Sequence, residues 1–197
     1  GGGTGGTGGT GNTGGGGQAT VLTEFEISAP ISTKYGAISI VADSLKINNS
    51  LTVTDAAVDD RVDDIVLRAK AGDINLAGVV SAVNNVRLIQ ENASGEIGAI
   101  YGDGEISGEK LFVKADGTIG DATVLQTDPR FYLRTNIDEL EAEAAYGISI
   151  FEANDINVSS LRNRFGITTL VANGPDPGLS SGSPNEVALK GALTDVT

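Results

Sequence analysis

The sequence predicts an all-β chain wound as a parallel β-helix, a β-solenoid of irregular coils about 20–25 residues long with an extended glycine-rich N-terminal tail. Three observations predict it. A short motif recurs along the chain without being tandem, apolar side chains alternate with period two inside short runs, and the core is drawn from small aliphatics with no Trp at all. Short alternating strands also build β-sandwiches, but a sandwich has no reason to reuse one motif. In a solenoid equivalent residues stack on one another about 4.8 Å apart, so reuse is expected.

The motif is an aromatic residue followed by glycine: YGAISI from Tyr35, YGDGEI from Tyr101, YGISIF from Tyr146 and FGITTL from Phe165. The glycines, Gly36, Gly102, Gly147 and Gly166, are separated by 66, 45 and 19 residues, close to three, two and one multiples of a period of about 22. A second motif runs Ala, polar pair, then apolar–polar–apolar, at Ala42–Ile47, Ala71–Leu76 and Ala153–Val158.

Within the units the strands follow from alternation. Ile38, Ile40 and Ala42 alternate with Ser39 and Val41; Ile65, Leu67 and Ala69 with Val66 and Arg68; Leu140, Ala142 and Ala144 with Glu141 and Glu143. Ile148 and Ile150 flank Ser149 in the same manner. Gly, Asn and Asp punctuate the runs, as at Asn48-Asn49 and Asn84-Asn85, where such residues turn the chain at low cost. The run from Asp138 to Tyr146 has helical propensity, yet its strict alternation favours a strand.

Composition removes several classes of function. Net charge is −13 and the chain holds 26 acidic against 13 basic residues, which disfavours nucleic acid and anionic membranes as partners. Cys, His and Met are absent, so there is no disulfide framework, no thiolate nucleophile, no Ser-His-Asp triad and no zinc site of the usual kind. No apolar run reaches the ~20 residues of a membrane span. Without an initiator Met, Gly1 reads as a processed end or the start of an excerpt.

Residues 117–158 carry a resemblance. The order Gly117-Thr118-Ile119-Gly120, Leu133-Arg134-Thr135, Leu140-Glu141-Ala142 and Gly147-Ile148-Ser149-Ile150 resembles the repeats of large filamentous-haemagglutinin-type exoproteins, and the likeness extends over roughly residues 34–173. The resemblance implies a right-handed β-helix, secretion or surface display, and adhesive or scaffolding duties. It brings no catalytic residues with it.

Residue clusters were weighed for chemistry. Asp59, Asp60, Asp63 and Asp64 around Arg61 are the candidates for holding Ca²⁺, which takes carboxylate oxygens; an acidic cluster with an arginine is also similar to a polysaccharide-lyase site. The favoured reading is a solvated loop bulging from one coil. Glu139, Glu141 and Glu143 point to one outer face of a strand, a charged surface that blocks lateral sheet pairing. The aromatic–glycine pairs are read as coil corners ahead of a sugar-stacking ladder. Gly95–Gly108 lacks the Lys-Ser/Thr ending of a phosphate loop and reads as two tight turns.

Composition divides the chain into a Gly/Thr tail (1–17), a β-helix body (18–173), a Pro/Gly/Ser loop or linker (174–185) and a C-terminal strand segment (186–197). The tail repeats Gly-x-Thr triplets: Gly2, Gly5, Gly8 and Gly11 lead them, and Thr4, Thr7, Thr10 and Thr13 close them. A flexible linker has no need of register, whereas a three-residue helix or an inserted strand does. These eight residues are the assembly candidates. No capping helix is evident, and an uncapped solenoid presents bare strand edges. The expectation is therefore a non-enzymatic structural subunit of an extracellular or cell-surface filament or adhesin scaffold. Its partners would be copies of itself, joined head to tail. A carbohydrate- or calcium-binding surface module, with surface glycans as partner, is the second reading, and a polysaccharide-lyase-like enzyme the third.

Overall fold

The computed structural model describes residues 23–172 apart from 56–62, 94, 96, 122, 126 and 127. The Gly/Thr tail, the Pro/Gly/Ser segment and the C-terminal strand segment lie outside the described residues, as do Asp59, Asp60 and Arg61. Sixteen strands form one sheet in which every pairing is parallel, coiled into a solenoid. No α-helix occurs among the described residues.

The first coil holds β1 (Glu24–Ile27), β2 (Ile31–Thr33) and β3 (Ile38–Ala42), and the second β4 (Ser44–Ile47), β5 (Leu51–Val53) and β6 (Asp63–Ala69). The third holds β7 (Ile74–Leu76), β8 (Val80–Ser81) and β9 (Asn85–Gln90), and the fourth β10 (Ile100–Tyr101) and β11 (Glu105–Ala115). The fifth holds β12 (Thr118–Ile119) and β13 (Leu133–Ala144), the sixth β14 (Gly147–Glu152) and β15 (Asn157–Asn163), and β16 (Thr168–Ala172) opens the seventh. The long strands β11 and β13 run through two walls, pairing with β8 and then β9 on one side and with each other along ten partners.

Register turns alternation into columns. Phe25, Leu45, Ile74, Ile100, Ile119, Ile148 and Thr168 lie one above another on the first wall. Ile31, Leu51, Val80, Ile106, Thr135 and Glu152 do so on the second, and Ile38, Ile65, Val86, Leu111, Leu140 and Val158 on the third. These columns make one hydrophobic core. Each coil is narrow, so Val, Ile, Leu and Ala fill it, which is the physical reason that Trp is dispensable. Asp138–Ala144 is strand, as its alternation predicts, with Leu140, Ala142 and Ala144 inward.

Successive partners on the first wall are 20, 29, 26, 19, 29 and 20 residues apart. The mean spacing is about 24, slightly above the expected period of about 22, and it averages short coils with coils that have enlarged corners, because insertions at corners cost little loop entropy. The aromatic–glycine pairs do not share one phase of the coil. Gly36 turns between β2 and β3, Gly102 follows β10, Gly147 begins β14, and Gly166 lies between β15 and β16. Two of them are required by close approach: Gly102 sits at φ 139° with the Leu76 carbonyl where a Cβ would go, and a Cβ on Gly166 would overlap the Tyr146 carbonyl. The Ala–polar–polar motif behaves likewise. Its first two copies are stacked, Leu45 on Ile74, whereas the third lies on another wall with Val158 against Leu140.

One enlarged corner, residues 120–132, folds over the outside of β14. Asp128 caps the short turn Pro129–Phe131 and is ion-paired with Arg130 at 2.8 Å. Those bonds from the Arg130 side chain and backbone pull its carboxyl down to about 2. Phe131 and Tyr132 meet edge to face at 4.9 Å, and Tyr132, Phe151 and Val171 form a second apolar cluster outside the coil. Ser149 and Phe151, which alternation assigns to solvent, are buried by this cover.

Candidate functional site

The acidic segment comes first, since it held the metal candidates. Asp63 opens β6. Asp64 is buried, and its carboxylate accepts the Asn84 backbone N–H at 2.7 Å and the Asn84 side-chain amide at 3.5 Å. It thus ties the second coil to a corner of the third, at the last residue of the segment 55–64 that was expected to be a solvated loop. Among the described residues no group of three acidic side chains comes together to hold a metal ion.

The outer glutamates are neutralised across the ladder. Lys110 reaches Glu139 at 2.9 Å and Lys114 reaches Glu143 at 3.2 Å, in line with the register of β11 on β13. The hydrogen bond from Lys110 holds the Glu139 carboxyl below its ordinary range. Arg87 lies over the Phe112 ring at 4.3 Å on the same face. At the corners, Tyr146 and Phe165 stand 5.8 Å apart on successive coils, both exposed.

Glu152 is the polar group that sequence reasoning missed. Its column position points it inward, opposite Thr135. Its carboxylate accepts from the Thr135 hydroxyl at 2.7 Å, from Ile137 N–H at 3.2 Å and from Asn154 N–H at 3.1 Å. Burial raises its carboxyl above the usual range, and these hydrogen bonds act in the opposite direction.

A concave feature of the outer surface is a groove of about 240 Å³ across the first wall. Four consecutive coils build it: Glu24 from the first, Ser44 from the second, Asp73 and Asn75 from the third, and Ile97 and Tyr101 from the approach to the fourth. Asn75 and Tyr101 are ladder partners whose neighbours Ile74 and Ile100 point inward, so both side chains point out. The segment between β9 and β10 is long enough to stand beside the wall rather than turn directly into it, and Ile97 is left 59% exposed. Asp73 is fixed by accepting Ala99 N–H at 2.7 Å. The Tyr101 phenol is raised by burial first and then by the negative charges of Asp73 and Asp121. Among the described lining residues there is no Lys or Arg. It offers carboxylates, an amide and a hydroxyl beside an aromatic face, which is binding chemistry. Both motifs pass through it, at Asp73, Asn75 and Tyr101, but sequence marked these residues as coil punctuation.

Known protein families, curated proteins and solved structures yield no match to this chain.

Proposed function

We propose that the chain is a structural scaffold, a subunit of an extracellular or cell-surface filament or adhesin wound as a right-handed β-helix, and that it assembles by covering its first coil. The observation that carries this reading is the start of the columns. Phe25 is 50% exposed and Ile31 40%, while the residues stacked on them, Leu45 and Leu51, are 1% and 0% exposed. Large aliphatic and aromatic side chains at inward positions, next to a parallel strand edge that no other described strand pairs, favour addition of a further strand. The head-to-tail joint would be heterologous, so copies would extend into a filament. The lateral faces, with Lys–Glu pairs alternating along the ladder, suit a fibre that stays single.

Negative-stain microscopy of the intact chain and of a chain lacking residues 1–17 tests the proposal. Filaments from the intact chain alone assign the joint to the Gly/Thr triplets acting on the first coil. Filaments from both assign it to the coil ends, and monomers from both refute assembly.

A further inference from the structure

The groove on the first wall has a charge and shape that select one class of ligand. We propose that it binds an alkylammonium group on an apolar stem, as carried by a lysine side chain or a free polyamine. Glu24 and Asp73 supply the counter-charge, and Tyr101 and Ile97 supply the apolar walls. This inference does not depend on filament assembly.

The lining excludes the other classes in turn. Among the described lining residues an anion would meet two carboxylates and no cation; Lys46, the ladder partner of Asn75, is not one of them. Calcium takes about six to eight oxygen ligands, whereas the lining carboxylates are two and one oxygen of Asp73 is already given to Ala99. A neutral sugar would gain hydrogen bonds but nothing from the charges of the Glu24 and Asp73 carboxylates. An ammonium group gains from all of it. Its three N–H donors match acceptors on Glu24, Asp73 and Asn75 or Ser44, its charge is attracted to both carboxylates, and its stem packs along Ile97 and the phenol ring. A cation over the tyrosine face adds a further attraction. A volume of about 240 Å³ admits one such chain end.

The test is a ¹⁵N-resolved NMR titration of the full chain with N-acetyl-lysine methylamide, with spermidine, and with methyl α-glucoside as the uncharged control. Both amines should shift amides at residues 24, 44, 73–75 and 97–101, and the shifts should weaken as NaCl is raised. If the lysine amide alone binds, the ligand is a protein side chain; if spermidine binds much the tighter, it is a free polyamine. Glu24→Gln, an exposed position whose change leaves the core intact, should weaken amine binding about tenfold, and Tyr101→Leu about threefold. Tyr101→Phe should retain it. The proposal is overturned if the amines shift none of these residues, if Glu24→Gln binds them as well as the parent, or if methyl α-glucoside shifts the same set equally.

Discussion

At the first coil two inner columns begin with Phe25 and Ile31, apolar and half-exposed; at the far end the first-wall column finishes with Thr168, and the second turns polar at Glu152 before its last described residue, Ala172. The two ends therefore face different costs. At the far end the second-wall column turns from Ile106 to Thr135 and then Glu152, and the carboxylate is satisfied by three donors. That part of the interior is held by hydrogen bonds. At the near end Phe25 and Ile31 carry no polar group, and their exposed apolar area costs about 25 cal/mol per Å². A solenoid built by stacking identical positions ends well only where the sequence changes chemistry. Here the second-wall column changes chemistry at Thr135 and Glu152, and the columns of the first described coil do not.

The comparison is broken most severely by removing side chains from its middle. Leu88→Ala, in a fully buried position of the third coil, should cost about 2–5 kcal/mol in urea unfolding. Ile31→Ala, at the open end, should cost well under half as much. Equal losses would mean that the first coil is already covered.

Corner glycines come next. Gly102→Ala should destabilise by about 1–3 kcal/mol, since φ 139° and the Leu76 carbonyl both oppose a side chain. Gly36→Ala, at φ 91° with open space around it, should cost about 1 kcal/mol. Thermal or denaturant unfolding of the two variants measures the difference.

The polar end can be sharpened by pH. The folded-state carboxyl of Glu152 lies above its unfolded value, so its contribution to stability is full below the ordinary glutamate range and is lost as pH rises through the raised value. Glu152→Gln removes that dependence. The stability of the variant relative to the parent should therefore climb as pH is raised from about 4 to 7. A constant difference would show that Glu152 titrates as an exposed glutamate does.

The smallest effect belongs to the ladder. Lys110→Ala should cost less than about 1 kcal/mol, because the Lys110–Glu139 pair is about one-third exposed, and the loss should shrink in high salt.

Legibility in the sequence followed local physics. Alternation located the inward residues of β6 and β13, and the dearth of large side chains pointed to a narrow interior. The phase of the coil was less legible, because any corner that needs a tight backbone selects glycine; Gly36, Gly102 and Gly166 mark three different corners. The burial of Ser149 and Phe151 was not legible from alternation, because the segment that covers β14 precedes it by a whole coil. The groove was illegible for the same reason: Glu24, Asp73 and Tyr101 are brought together only by register, and the segment carrying Ile97 has no hydrophobic signature.

The claim that the first coil is the assembly surface is tested most directly by sedimentation velocity. The intact chain would be run over a wide range of concentration beside a variant carrying Phe25→Glu and Ile31→Glu. The account predicts species that grow with concentration for the parent and one monomeric boundary throughout for the variant. A parent that stays monomeric, or a variant that assembles equally well, would contradict it.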